Sequence, residues 1–428
     1  MLIIGIIVRL VVGFFMTYVF DMQHWGVVVQ NINSGSGLYE ITGYFYTPVW
    51  GYILGMGSFL QDIIGIDLIG ARLTEMLSIE EVEYFVATYT TPAFNMGIKI
   101  LYLISDIVVG YLIFWLIRDY TGDHKKAVLG FALWFLCPLV ISVGFIIGMF
   151  DTIVALMTLL SIIMLRKGRY MEAGALLALA SLTKFFPAFL APVFIAYIIS
   201  KHLADDTAKK NTIYFIIGAA VMSIIILLPQ MLDGTFADCF LFITSRISNG
   251  MGSSIVGTIG GYVAVIAYAL ALLIAVLYAK KLITLENKGH LDKKMLDAMF
   301  VIVTILFIYP PLPQYILLLL PFLIFMAVSN KRYMLPLILL MIGTTLATAQ
   351  GGPIDLVAIG AFTDILSLDS LLPMIDAYTT PIFGIPLIKI VGGIGLVIQY
   401  AGILTILWIR FEDDIRKFMA KRKNTAEI

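Results

Sequence analysis

Cysteine is nearly missing from this chain: of 428 residues two are cysteines, Cys137 inside an apolar run and Cys239 in a loop. Two thiols so placed can make neither a disulfide framework nor a zinc site. Charge is scarce as well. Charged residues make up 13% of the chain against 61% hydrophobic ones, and the mean hydropathy is +0.99, more apolar than a soluble core requires. The formal net charge is zero, so nothing points to nucleic acid, and electrostatic arguments must come from where the charges sit. No P-loop, HExxH or GxSxG sequence occurs, which excludes ATP-driven transport by this chain alone and the commonest hydrolase routes. The run "GGIGLV" at 392–397 lies within an apolar helix with no strand before it, so its glycines suit close helix packing and not a dinucleotide. Neither an internal repeat nor a soluble linker divides the sequence, and 1–428 reads as a single integral membrane domain. The opening "MLIIGIIVRLVVGFFMTYVF" has no basic start and no small-residue cleavage site, and is expected to be a retained span.

What the chain does have is a succession of apolar runs, read against the roughly 20 residues that cross about 30 Å of hydrocarbon. They predict an all-α polytopic membrane protein of about 12 transmembrane helices: 2–20, 97–117, 127–147, 152–165, 171–184, 186–200, 213–230, 254–279, 296–309, 314–329, 334–350 and 388–409. With both ends in the cytoplasm, every inner loop is basic, and these loops with the tail 410–428 hold 22 of the 28 lysines and arginines, the bias expected of real topology. The exceptions are Arg9, Arg72, Lys99, Lys184, Arg246 and Lys389, each of which needs a local reason. The outer loops are 21–96, 231–253 and 351–387, and 47–65 is read as a helix lying along or dipping into the outer surface.

Asp21 stands at the outer exit of the first span, where a carboxylate can be partly desolvated yet reached by a polar substrate, as a general base must be. Taken alone it would also serve as an interfacial carboxylate that ends a helix. His24 and Trp25 follow within one turn; Trp25 suits the aromatic belt at the headgroups, and His24 suits a ligand contact or the same belt. "GLYEITGYFYTPVWGY" gathers four tyrosines and a tryptophan, side chains that fit sugar faces and membrane interfaces equally well. Lys184, in "SLTKFFPAFLAP", and Arg246, in "FITSRISNGMGSS", are outward cations that a bound phosphate would explain. Bridges to Asp151, Asp233 or Asp238 would explain them too. Arg9 and Asp106 sit near the middle of their spans, at depths that agree within roughly 5 Å; we expect them to form an ion pair between helices.

These residues together resemble a family. The aspartate after the first span, "GLYEITGYFYTPVWGY", "GIKILYLISDIVVGYLIFWLIRD" and "GMFDTIVALMTLLSIIMLRKGRYMEAGALLALASLTKFFPAFLAP" look like the membrane-embedded GT-C glycosyltransferases. Among them the pattern is most similar to the enzyme that adds the first mannose in glycosylphosphatidylinositol synthesis. Tyr46, Thr47 and Pro48 meet its Tyr-Thr-Pro, Asp106 its acidic second span, Lys184 and Pro187 its Lys-x-x-Pro turn, and Gln314 and Tyr315 its Gln-Tyr segment. Val19 stands where that family has a second carboxylate, and Ile147 where it has an arginine. The resemblance implies a GT-C-like bundle with a long first extracytoplasmic loop carrying interfacial helices. It implies inverting transfer of a hexose, mannose in that family, from a polyprenyl or dolichyl phosphate to a lipid-linked or glycan acceptor. It further implies Asp21 as catalytic residue, Lys184 and Arg246 as phosphate ligands, and Gln23, His24, Tyr46, Asp151, Gln314 and Tyr315 toward sugar or acceptor. A multi-pass protein of the cell membrane or the endoplasmic reticulum follows, with its active site on the extracytoplasmic side. Membrane lipids surround it; a divalent metal and an accessory subunit remain open. A lipid or sugar transporter and a noncatalytic subunit of a glycosylation complex are the alternatives.

Overall fold

The computed structural model describes residues 1–40, 44–65, 78–79, 82–83, 90–241, 255–285, 288–309, 312–363 and 365–426. Arg246 and Arg72 lie outside them. Among the described residues the chain is all-α apart from two hairpins of two-residue strands, Ser78–Ile79 with Val82–Glu83 and Pro381–Ile382 with Ile385–Pro386.

Its first helix, α1 (Leu2–Phe15), buries Gly5, Arg9 and Gly13, one stripe at i, i+4, i+8, and leaves Ile3, Ile4, Ile7 and Val11 exposed. An apolar exposed face marks contact with lipid. Next comes α2 (Val19–Asn33), bent by 82° from α1. It therefore leaves the line of α1. After α3 (Pro48–Ile63), the long α4 (Pro92–Thr121) starts behind a threonine N-cap, with Thr91 Oγ1 accepting from Phe94 N at 3.1 Å, and a proline at its first turn; it stops at Gly122 in the left-handed region. Helices α5 (His124–Phe135) and α6 (Pro138–Ile141) lead into a π-helical turn, Ser142–Ile147.

Two antiparallel helices follow, α7 (Asp151–Arg166) and α8 (Tyr170–Thr183), then α9 (Ala191–His202), α10 (Ala208–Asp233) and α11 (Ile255–Ile283). The chain continues through α12 (Leu291–Leu306), α13 (Ile316–Ser329) and α14 (Met334–Thr348), the short α15 (Val357–Phe362) and α16 (Leu368–Thr379), and α17 (Leu387–Ala426). In α13 every residue from Ile316 to Ile324 is buried, and in α12 every residue from Ala298 to Leu306. Helices apolar all round and buried all round form the centre of a bundle. By contrast α10 and α11 expose long apolar faces, with Ile224, Ile225 and Leu232 on the first and Ile266, Leu273 and Leu277 on the second.

Helix pairs close up where glycine permits. A Cβ on Gly174 of α8 would overlap the carbonyl of Phe215 in α10, and one on Gly218 would overlap that of Met171. Gly343 of α14 and Gly395 of α17 are matched in the same reciprocal way, which is the packing expected of "GGIGLV".

The expected spans fall mostly on helix, the first being interrupted at residues 16–18 and the one expected at 296–309 ending at Leu306. Among the described residues four helices are individually long and apolar enough to cross a membrane, or up to seven if each of three bent pairs is one span. The others are too short to pass alone: α7 has 16 residues and α8 has 14. Residues 351–363 and 365–387 include small helices whose Ile354, Val357, Ala358, Leu371 and Ile375 pack with Val19 at the start of α2. The segment read as the third outer loop thus braces the bend between α1 and α2.

Candidate active site

The α7–α8 hairpin sets the geometry. Sixteen residues run one way and fourteen return, so Asp151, first residue of α7, and Lys184, which caps the end of α8, meet at the same level. Lys184 Nζ donates to Asp151 Oδ1 at 2.7 Å and to Oδ2 at 2.6 Å, with both side chains almost wholly buried. The helix N-terminus further favours the Asp151 carboxylate. Three rings surround the ammonium: Phe150 at 4.8 Å, Tyr315 at 4.9 Å and Tyr46 at 6.0 Å, an arrangement that compensates a desolvated cation. Of the two readings open for Lys184, the bridge to Asp151 is present.

Asp21 reaches the same place from α2. Its inward stripe, Met22, Trp25, Gly26 and Val29, is buried, which leaves Asp21 half-buried on the flank of the helix. Burial pushes its carboxyl up to about 7; Lys184 pulls it back down and Asp151 pushes it further up. The three groups therefore share one electrostatic neighbourhood. A carboxyl pushed up toward neutrality beside a buried cation is fitted to accept a proton. Among the described residues no three His, Cys, Asp or Glu side chains gather into a metal-binding group.

An aromatic wall ties α2 to this pair. Trp25 is buried, not set in a headgroup belt as its position suggested. Its ring meets Trp50 at 5.6 Å, Tyr46 at 5.9 Å and Phe150 at 5.9 Å. Its Nε1 donates to the Gly148 carbonyl at 2.9 Å, and Tyr102 Oη donates to the same oxygen at 2.8 Å. Gly148 has φ +80°, between the π-turn and α7. Two donors on one carbonyl, from α2 and α4, thus fix the turn that delivers Phe150 and Asp151. A π-turn beside a candidate site is a recurrent association.

His24 lies against Trp25 at 5.2 Å and Tyr44 at 6.5 Å, and burial pulls its imidazole down toward the neutral form. Gln23 is half-buried on α2, and Gln314 is half-buried beside Tyr315 in a short 3-10 turn. The structure brings Asp21, Tyr46, Asp151, Lys184 and Tyr315 together.

Sequence reading passed over Phe150, Tyr102 and the buried Lys99–Asp355 pair. Lys99 Nζ donates to Gly13 O at 2.8 Å, Met16 O at 3.0 Å and Thr17 Oγ1 at 2.7 Å. It satisfies the carbonyls at the end of α1, where the helix would otherwise leave them orphaned. Asp355 is buried within electrostatic reach of Lys99, and its backbone oxygen accepts from Thr17 N at 2.6 Å. The signal for Lys99 was its escape from the basic loops. Deeper in the bundle, Arg9 Nε donates to Asp106 Oδ2 at 2.8 Å and Nη1 to Phe135 O at 2.6 Å, all fully buried.

The family model described as glycosyltransferase family 87 matches residues 85–306, just over half of the chain. The chain belongs to glycosyltransferase family 87. No curated protein matches it. The matched region of this family 87 member contains α4, the π-turn, Asp151, Lys184 and the basic end of α12. Asp21, Tyr315 and Asp355 lie beyond its limits. The chain is thus a membrane glycosyltransferase, as the GT-C likeness implied at superfamily level.

Proposed function

We propose that this glycosyltransferase moves one hexose from a polyprenyl or dolichyl phosphate carrier to a lipid-linked or glycan acceptor on the extracytoplasmic face, with inversion at the anomeric carbon. Its resemblance to the first mannosyltransferase of glycosylphosphatidylinositol synthesis makes mannose the sugar we would try first. One observation carries the reading: a half-buried carboxyl at the bend after α1, coupled electrostatically to the buried Lys184–Asp151 pair.

In the step we infer, the acceptor hydroxyl oxygen bonds to the anomeric carbon as the bond from that carbon to the phosphate oxygen breaks. The hydroxyl proton passes to the Asp21 carboxylate, and the carrier departs as polyprenyl phosphate. That leaving group is already anionic, so it needs cations more than an acid; a glycosidase needs a second carboxyl because its alkoxide must be protonated. Lys184, held in place by Asp151, and Arg246 are the proposed phosphate ligands. Gln23, His24, Tyr46, Asp151, Gln314 and Tyr315 are proposed to bound the sugar and acceptor.

Asp21→Asn is expected to fold and bind donor yet lose transfer by roughly a hundredfold or more. Radiolabel transfer from a polyprenyl-phosphate sugar, beside a donor-binding assay, measures both. Near-normal transfer would remove Asp21 from the proton-accepting role; loss of donor binding would make it a donor ligand.

A further inference from the structure

At the other end of the bundle lies a second polar space. Asp151 and Arg166 are the two ends of α7, about 22 Å apart at 1.5 Å per residue, and Arg166 lines a cavity of about 1280 Å³. The walls come from the ends of α4 and α7, from α9, from the first turns of α12 and from α17. Seven lysines and arginines face three aspartates there. This is the end that the charge distribution assigns to the cytoplasm.

Two arginines are held rigidly. Arg166 bridges Asp119 at 2.6 Å and Asp292 at 3.1 Å, with Tyr120 at 5.1 Å from its guanidinium. Arg410 Nη2 donates to Asp297 Oδ2 and to Tyr278 Oη, both at 2.7 Å. The three aspartates are thereby consumed by two arginines, and Lys126, Lys293 and Lys294 pair with no carboxylate among the described residues. Arg166 Nη1, Arg410 Nε and Tyr120 Oη are buried and have no hydrogen-bond partner among those residues. Beneath the charges the floor is apolar: Leu296, Phe325 and Met326 also line a small cleft that continues inward to Ile113 and Leu159.

We propose that this basin is an anion site for a phosphate group, separate from the candidate active site and independent of the function proposed above. A phosphate offers several acceptor oxygens to converging donors. Basic pockets between helices on the cytoplasmic side are suited to anionic lipid headgroups, and the apolar floor favours a lipid as the source over a free phosphomonoester.

The test uses the full-length protein in nanodiscs. Native mass spectrometry reads retained phosphatidylglycerol against phosphatidylcholine, and glycerol 3-phosphate is the soluble competitor. Lys126→Gln/Lys293→Gln/Lys294→Gln is expected to weaken retention of phosphatidylglycerol about tenfold or more, while sugar transfer in phosphatidylcholine discs stays unchanged. The control Lys125→Gln/Lys209→Gln/Lys210→Gln changes exposed lysines of the same end that do not line the basin, and is expected to leave retention as it was. Retention displaced by glycerol 3-phosphate keeps the site and makes its source soluble. Equal loss in both variants, or loss in neither, overturns the proposal, because the basic surface then acts only as the diffuse charge common to inner loops.

Discussion

If Asp21 is the proton acceptor proposed above, a carboxyl raised to near neutrality makes transfer a function of pH. Asp21 must be ionised to accept a proton, and its carboxyl is pushed up to about 7; transfer is therefore expected to fall as pH drops through that value and to level off above it. Lys184 favours the ionised form, so Lys184→Gln is expected to move the acidic limb to higher pH. Initial rates across a pH series, with thermal unfolding as a check on folding, measure the displacement. Arg9 and Asp106 obey different physics, because neither reaches water. Removing one partner strands the other: Asp106→Ala is expected to cost about 3–5 kcal/mol, whereas Arg9→Leu/Asp106→Leu recovers most of it. Melting of the purified variants in detergent distinguishes the two, and equal melting points for wild type and Asp106→Ala would dismiss the pair. These charges were legible in the sequence because a lone ion in an apolar run has few explanations. Phe150 and Tyr102 were not, since an aromatic ring in such a run looks like any core residue until its neighbours are known.

Among the elements, the bend between α1 and α2 decides where Asp21 points. Lys99 ties off α1, the Asp355 carbonyl holds Thr17, and the Ile146 carbonyl accepts from Tyr18 N at 2.7 Å. Lys99 touches no candidate substrate group and is best described as a positioning residue. Lys99→Met is expected to lower kcat for transfer about tenfold or more with little change in KM. A purely structural lysine would instead lower the amount of folded enzyme and leave kcat per folded molecule intact. The apolar periods indicated helices throughout, and the basic loops predict a direction for them. Periodicity did not reveal that the first run breaks at Met16, because Val19 and Phe20 carry the apolar run on past it to Asp21. Nor did it reveal that 351–387, read only as an outer loop, would fold into the brace beneath α2; its mixture of Gly, Pro and Asp is ordinary for a loop.

For the whole molecule, the charges describe an oriented object with a buried, nearly balanced site at one end and a basic basin at the other. That orientation can be tested with new thiols, since Cys137 and Cys239 are both buried. A membrane-impermeant maleimide is expected to label Ser34→Cys in intact cells and Lys125→Cys only after permeabilisation, both positions being exposed; the reverse pattern would turn the site inward. The glycine contacts between α8 and α10 have one more consequence. Backbones in direct touch at Gly174 and Gly218 leave the α7–α8 hairpin no room to slide, so its buried ion pair is an immobile anvil. On the proposed function, whatever opens to admit a bulky carrier and let the spent one go must then give way on the facing side, where Trp25 of α2 and Tyr46 before α3 meet Phe150 ring against ring.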